Sequence, residues 1–381
     1  MFGLKFNKKL IKDFDFGLLI NVLLICVEGI IAISSATKAF NGGSMKFFIL
    51  QIIWIILGLA VMAVIVSIDY NTIKMYYKFI YIANVALLLL LVVLNKVTNG
   101  EIGGETNGAV SWFSIGTFGL QPSEFMKISL IIVFAKKIED FEGNVNNIKN
   151  LSILFLYAAI PLGLIAAQPD LGTDMVLAAI IIGMLFMAGL DLRIIFGGLL
   201  TGAASIYAIW NYTKLISEEQ KGRIVSFLHP ELDPLGTNYQ PNESKIAVGS
   251  GQIFGMGFGN GLQSGGDYVS YAYSDFIFSV IAEDFGFIGS VIVIVVYISL
   301  IFKCIGISRI AKDKFGRMLV IGVASMFIFQ VFQCIGMAIG IMPITGITLP
   351  FISYGGSSML TNMIAIGLVL NVGMRRHKIN F

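Results

Sequence analysis

Ten stretches of the chain run for 15 to 28 residues with few or no charges, near 16–36, 46–66, 77–95, 122–136, 151–168, 173–189, 194–213, 275–302, 318–342 and 358–373. About twenty such residues coiled as a helix cross a hydrocarbon core of about 30 Å. Only a helix or a closed barrel satisfies its backbone polar groups there, and runs this long fit helices. The fold class expected is therefore an all-α polytopic membrane protein of about ten transmembrane helices, a single integral membrane domain over 1–381. At 56% hydrophobic and 13% charged residues, the chain is too apolar for a soluble globular protein.

Orientation is read from the cations, which short cytoplasmic loops retain. With a cytoplasmic N-terminus, eighteen Lys and Arg fall in inside segments, among them Lys74, Lys136, Arg193, Lys303 and Arg375. Seven fall outside, namely Lys38, Lys46, Lys96, Lys214, Lys221, Arg223 and Lys245, and Lys127 lies within a span. Both termini are expected on the cytoplasmic side of the cytoplasmic membrane. The net charge of +3 is then a matter of topology and not a nucleic-acid footprint. The first apolar run lacks a small-residue cleavage site and reads as an uncleaved anchor. Cys26, Cys304 and Cys334 have no CxxC spacing, and His229 and His377 are far apart, which argues against a disulfide framework or a His/Cys zinc site.

Two outer segments are long, roughly 96–121 and 214–274, and loops of that length are usually functional. The second carries GSGQIFGMGFGNG, with glycines at 249, 251, 255, 257, 259 and 261. No register of it satisfies GxGxxG and no βαβ unit surrounds it, so a dinucleotide fingerprint is rejected. A backbone that bends sharply or approaches a neighbour closely is expected instead.

Several polar residues sit at membrane depth, where each ionisable side chain costs roughly 2.5–3.5 kcal/mol on insertion scales. In YAYSDFIFSVIAEDFG, counting back from Lys303 puts Glu283 and Asp284 at the outer interface and Asp275 about 12 Å further out. Asp275 is either a helix N-cap or a chemical group, and Glu283 and Asp284 read as interface markers or helix contacts. In QPSEFMK, Pro122 suits a first helical turn, and Lys127 lies one turn below Glu124 and can pair with it. In QPDLGTD, Pro169, Asp170 and Gly172 break an apolar run, opening an acid toward a cavity, with Asp174 on a similar face. Trp112 is an interfacial belt residue or a sugar-stacking platform. The segment GITLPFISYGGSSM, with Ser353 and Tyr354, describes a tight outer turn into a helix start able to meet an anion.

Taken in order, QPSEFMK, QPDLGT, the GSG…FGMGFGNG loop, SDFIFSVIAEDFG and LPFISYGGSS resemble the SEDS family (shape, elongation, division and sporulation; RodA, FtsW and SpoVE) over about 15–373. The resemblance implies a peptidoglycan glycosyltransferase that polymerises lipid II at the outer membrane face beside a class B penicillin-binding protein as transpeptidase. The family's essential acid falls on Asp275. Its other motif residues fall on Trp112, Gln121, Pro122, Ser123, Glu124, Lys127 and Asp170. All of these but Pro122, together with Arg223, Lys245, Ser353 and Tyr354, form the expected substrate-binding set, and short termini suggest a RodA-like member. The departing polyprenyl pyrophosphate calls for cations or a divalent metal, Mg2+ or Mn2+. Where relatives usually read LPExHTDFIF, this chain has Ser270, Tyr271 and Tyr273 before Ser274 and Asp275. Met256 replaces a lysine, and Ser111 replaces a basic residue. Two other readings stay open: a lipid-linked precursor flippase or transporter, with the broken helices around Asp170 as its pathway, and a non-catalytic scaffold for a transpeptidase, which those losses allow.

Overall fold

The computed structural model describes residues 12–38, 45–98, 111–115, 118–212, 218–229, 236, 238–266 and 268–376. His377 and parts of both long outer segments lie outside them. Each of the ten expected spans is a helix: α1 Phe16–Ala36, α2 Lys46–Ser67, α4 Tyr77–Thr98, α5 Pro122–Asp140, α6 Ile148–Ala166, α7 Leu171–Met187, α8 Leu192–Tyr212, α12 Ile277–Ile310, α13 Lys314–Ala338 and α14 Gly356–Met374. Between them stand the short helices α3 Tyr70–Met75, α9 Glu218–Leu228, α10 Tyr239–Ser250 and α11 Leu262–Gly265. The first long segment adds a hairpin, β1 Phe113–Ile115 with β2 Phe118–Leu120, pairing Phe113 with Leu120.

Among the described residues, seven helices are long and apolar enough to span alone. The others are shorter, as is the 17-residue α7, or charged, as is α5 with Glu124 and Lys127. Such a helix survives at membrane depth because neighbours enclose it, and almost every residue of α5 from Pro122 to Ile138 is buried. At the centre of the bundle, α14 is buried on all sides, as a helix apolar all round should be. The peripheral α2, α4 and α6 instead turn Ile56, Phe79 and Phe155 outward as a lipid-facing surface.

Lipid is as apolar as the side chains, so helix association rests on close approach and hydrogen bonds. Gly29 of α1 lies so near the chain that a Cβ would fall 2.8 Å from the Ile352 Cα. Asn21 donates to Ser299 Oγ at 2.8 Å and Asn84 to Ser129 Oγ at 2.7 Å, each worth roughly 0.6 kcal/mol on average in membrane proteins.

Helix ends segregate by charge. On one face Lys74 pairs with Glu139 at 2.5 Å, Arg376 with Asp13 at 2.7 Å and Lys303 with Asp15 at 3.6 Å, while the Tyr70 hydroxyl donates to Asp313 at 2.6 Å. All of these residues belong to segments assigned to one side by the cation count. Asp275, the glycine-rich loop, the hairpin and the QPSE and QPDLGT turns lie at the opposite helix ends.

The second long segment closes against α12. Helix α12 is broken at Gly286 (φ 65°, ψ −160°), and the freed backbone groups are taken up by the loop. Met256 N donates to Glu283 O at 2.9 Å and Gly257 N to Asp284 O at 3.0 Å, while Phe287 N donates to Gln252 O at 2.8 Å. A Cβ on Gly251 would overlap the Ala282 carbonyl, so the expected close approach is real and glycine is required there.

Candidate active site

Two turns converge on the start of α12. The cap of α12 is Phe276 with no side-chain cap bond, so Asp275 does not serve as the N-cap that its position suggested. Its carboxylate points at the 343–349 turn, where a Cβ on Gly346 (φ +69°) would lie 3.6 Å from Asp275 Oδ2. The backbone is fixed from both sides. Ser353 Oγ donates to Ser274 O at 2.6 Å and accepts from Leu349 N at 2.8 Å, and Tyr354 N donates to Tyr273 O at 3.0 Å. The rings of Tyr273 and Phe47 stack at 4.5 Å, and Tyr354 meets Phe47 edge-on at 5.0 Å. Ser353 and Tyr354 thus spend these polar groups on the chain beside the acid, whereas the sequence suggested contact with substrate. The helix start expected to meet an anion is likewise closed, because Trp54 packs over a buried Gly356.

Asp275 is half-buried, and removal from water pushes its carboxyl up to about 6 against the opposing pull of a Ser274 hydrogen bond and the Arg223 charge. Arg223 of α9 and Lys245 of α10 both line one cleft with Asn238, Met337, Gly340 and Ile344. The Ile344 wall leads two residues on to Gly346 and so to the acid. A carboxylate raised to about 6 within reach of the Arg223 charge can accept a proton while phosphate-borne negative charge builds in the adjoining cleft.

The other expected residues form a separate joint. Asp170 caps α7, accepting from Thr173 N at 3.0 Å and Thr173 Oγ1 at 2.8 Å, and it also accepts from Gln121 Nε2 at 3.1 Å and Ser123 Oγ at 3.4 Å. Gln121 N donates to Ser357 Oγ at 3.0 Å, tying the start of α5 to that of α14. The expectation of an acid opened toward a cavity is corrected here, since four donors close on it. Glu124 and Lys127 pair at 2.7 Å with side chains 9% and 1% exposed, so Lys127 answers the adjacent acid and is not a free cation in the cleft. Trp112 is half-buried and lies over the hairpin, where a Cβ on Gly119 would come 2.9 Å from its ring. The joint reaches the acid through the 343–349 turn: a Cβ on Gly172 would collide with Thr345 O, and Gln333 Nε2 donates to Pro343 O at 3.0 Å and Thr345 Oγ1 at 3.2 Å.

Sequence reasoning missed Gly346, Gln333 and the work of the two deeper acids. Glu283 accepts from Gln263 N at 2.8 Å and Ser264 N at 2.9 Å, and Asp284 binds Ser35 Oγ and Gly259 N. They fasten the glycine-rich loop and are more than interface markers. The available signal was a polar Gln within an apolar span and two adjacent acids opposite a glycine run.

A family model described as cell cycle protein, covering FtsW, RodA and SpoVE, matches residues 16–378. The chain belongs to this family. The probable peptidoglycan glycosyltransferase FtsW of Trichlorobacter lovleyi is 36% identical over 370 residues, covering 94% of this chain and 93% of that one. Stage V sporulation protein E of Bacillus subtilis is 34% identical over 368 residues, covering 94% and 96%. Among solved structures, a chain of a peptidoglycan synthase complex superposes with a TM-score of 0.79 at 27% identity over 96% of this chain and 99% of that one. RodA of Thermus thermophilus superposes with a TM-score of 0.71 at 26% identity, over 96% and 98%. Relatives named FtsW, stage V sporulation protein E and, from Escherichia coli, MrdB match at 36%, 34% and 33% identity, so the likeness does not single out the RodA-like subgroup.

Proposed function

We propose that this chain is a peptidoglycan glycosyltransferase that polymerises lipid II into glycan strands on the outer face of the cytoplasmic membrane, with Asp275 as its general base. The observation that carries this reading is a carboxyl with no cap to serve, raised to about 6 and set beside a cleft lined by Arg223 and Lys245.

Asp275 takes the proton from the 4-hydroxyl of the terminal GlcNAc on an acceptor lipid II. The oxygen attacks the anomeric carbon of the donor from the face opposite its phosphate. A glycosidic bond forms, the bond to polyprenyl pyrophosphate breaks, and the configuration inverts. A positioned carboxylate contributes about 100- to 10,000-fold to such a step. Arg223 engages the pyrophosphate oxygens through its planar fork and Lys245 adds a second charge. Glu124, Lys127, Asp170, Gln121 and Ser123 act as positioning residues that hold α5, α7 and α14 together behind the 343–349 turn.

Among the described residues no group of three His, Cys, Asp or Glu side chains is arranged to hold a metal ion. A divalent cation carried by the substrate's own phosphates would supply charge to the departing pyrophosphate. We read both termini as cytoplasmic, a reading that the cation count supports. The partner is a class B penicillin-binding protein acting as transpeptidase, a reading supported by the likeness to a chain of a synthase complex that coordinates polymerization with crosslinking.

The test is incubation of the purified protein with lipid II, with and without the transpeptidase. Glycan polymer formed when no other glycosyltransferase domain is present supports the enzyme. Lipid II crossing a vesicle bilayer without polymer would instead support a flippase, and neither activity would support a scaffold.

A further inference from the structure

We propose that the glycine-rich turn 251–259 is a lipid-inserted anchor, its exposed side chains seated in the acyl region of the outer leaflet. Ile253, Phe254 and Phe258 are 58%, 80% and 47% exposed, and the replaced lysine position, Met256, is exposed as well. The turn carries no charged side chain.

Its backbone is prepared for a medium without water. Gly255 N donates to Gly251 O at 2.8 Å, Met256 N and Gly257 N pair with the broken strand of α12 backbone at Glu283 and Asp284, and Gly259 N donates to Asp284 Oδ2 at 3.3 Å. These pairings, with the Gln252 and Ile253 carbonyls accepting from Phe287 N and Ile288 N, lower the cost of placing an irregular loop at membrane depth. Positive φ at Gly255, Gly257 and Gly259 (83°, 93° and 65°) lets the intervening apolar side chains project while those amides stay bonded.

Depth follows from α12. Its segment beyond the Gly286 break, 287–310, is about 36 Å long as a helix, enough to cross the core of about 30 Å and leave the break at the outer hydrocarbon edge. The turn is contiguous there with the lipid-facing side of α12, which begins at Phe287 and Ile288 and continues through Ile292 and Val295. Lys38, at the end of α1, places its ammonium 3.4 Å from Gly259 O and 5.9 Å from the Phe258 ring centre. A cation at that height, with an apolar tip beside it, matches a lipid phosphate above acyl chains.

A nitroxide at Phe254→Cys tests this in the full-length protein, purified and reconstituted in phosphatidylethanolamine/phosphatidylglycerol nanodiscs. The native Cys26, Cys304 and Cys334 are all buried and stay unlabelled. Phe258→Cys gives an independent second label, and Glu142→Cys, on an exposed turn, gives the aqueous reference. The anchor predicts that collisions with oxygen exceed those with a water-soluble nickel chelate at 254 and 258, by a ratio several-fold above that at 142. Dominant nickel collisions would overturn it by putting the turn in water. Exclusion of both reagents would put it beneath protein, and oxygen access gained only when lipid II is added would assign the surface to a polyprenyl tail; either result also overturns the anchor.

Discussion

The hydroxyl of Ser353 donates to the carbonyl of Ser274 at 2.6 Å, one residue before the acid that the proposed chemistry needs. Ser353 lies between two turns, since it also accepts Leu349 N at 2.8 Å. Ser353→Ala therefore leaves a buried amide and a part-buried carbonyl unpaired and loosens the base. Each lost bond costs about 1–3 kcal/mol. We expect kcat for glycan synthesis to fall by at least tenfold, with the KM for lipid II little changed, a fall of the order that about 1.4 kcal/mol of lost positioning produces. Steady-state kinetics on purified protein reads this; a raised KM with unchanged kcat would return Ser353 to the role of a substrate contact.

Because burial holds the Asp275 carboxyl at about 6, activity should climb with pH and reach half its plateau near 6. Arg223 pulls that value down, so Arg223→Ala should move the rising limb to higher pH as well as weaken donor binding. The stability sign is the reverse of the usual carboxylate. A native value above the unfolded one means the folded state holds the proton longer, so this group favours folding below about pH 4 and withdraws that contribution as pH rises through 6. A limb that stays in place when Arg223 is removed would separate the guanidinium from the base.

Glu124 and Lys127 form an ion pair enclosed by protein. Glu124→Gln alone strands an ammonium and should cost about 3–5 kcal/mol, as should Lys127→Met. The double variant should recover most of that loss. Thermal unfolding of the four proteins of the cycle measures the coupling. Single variants no worse than the double would mean that the pair is solvated in the folded protein.

Gly286 sits at φ 65° and ψ −160°, a region that only glycine adopts freely, with Ile253 O 2.6 Å from where a Cβ would stand. Gly286→Ala should destabilise by at least about 1–3 kcal/mol. Gly163→Ala, inside α6 where nothing lies within 4 Å of the added methyl, should be neutral or stabilising by up to about 1 kcal/mol. Melting temperatures of the two variants, taken side by side, give the comparison.

The ten spans were legible because a membrane leaves an apolar run little choice but helix, and the Glu124–Lys127 pair because helical spacing puts i and i+3 together. The partners of Asp170 were not, since Gln121 and Ser123 come from another helix about fifty residues earlier, and neither periodicity nor composition carries that distance. For the same reason Asp284 passed as an interface marker, although its partner Ser35 lies in the first span. The break in α12 rests on a single glycine in an apolar run, a residue equally at home in an unbroken membrane helix. Gly346 gave no signal because its contribution is the absence of a side chain in front of Asp275.

The most direct measurement is polymerisation of lipid II by purified Asp275→Asn, with binding of lipid II and thermal stability followed on the same preparation. The amide keeps the size of the side chain and cannot take the proton. We predict intact folding and binding with glycan synthesis lowered by about 100- to 10,000-fold. Chain synthesis by the variant at the wild-type rate would contradict the assignment of Asp275 as the base.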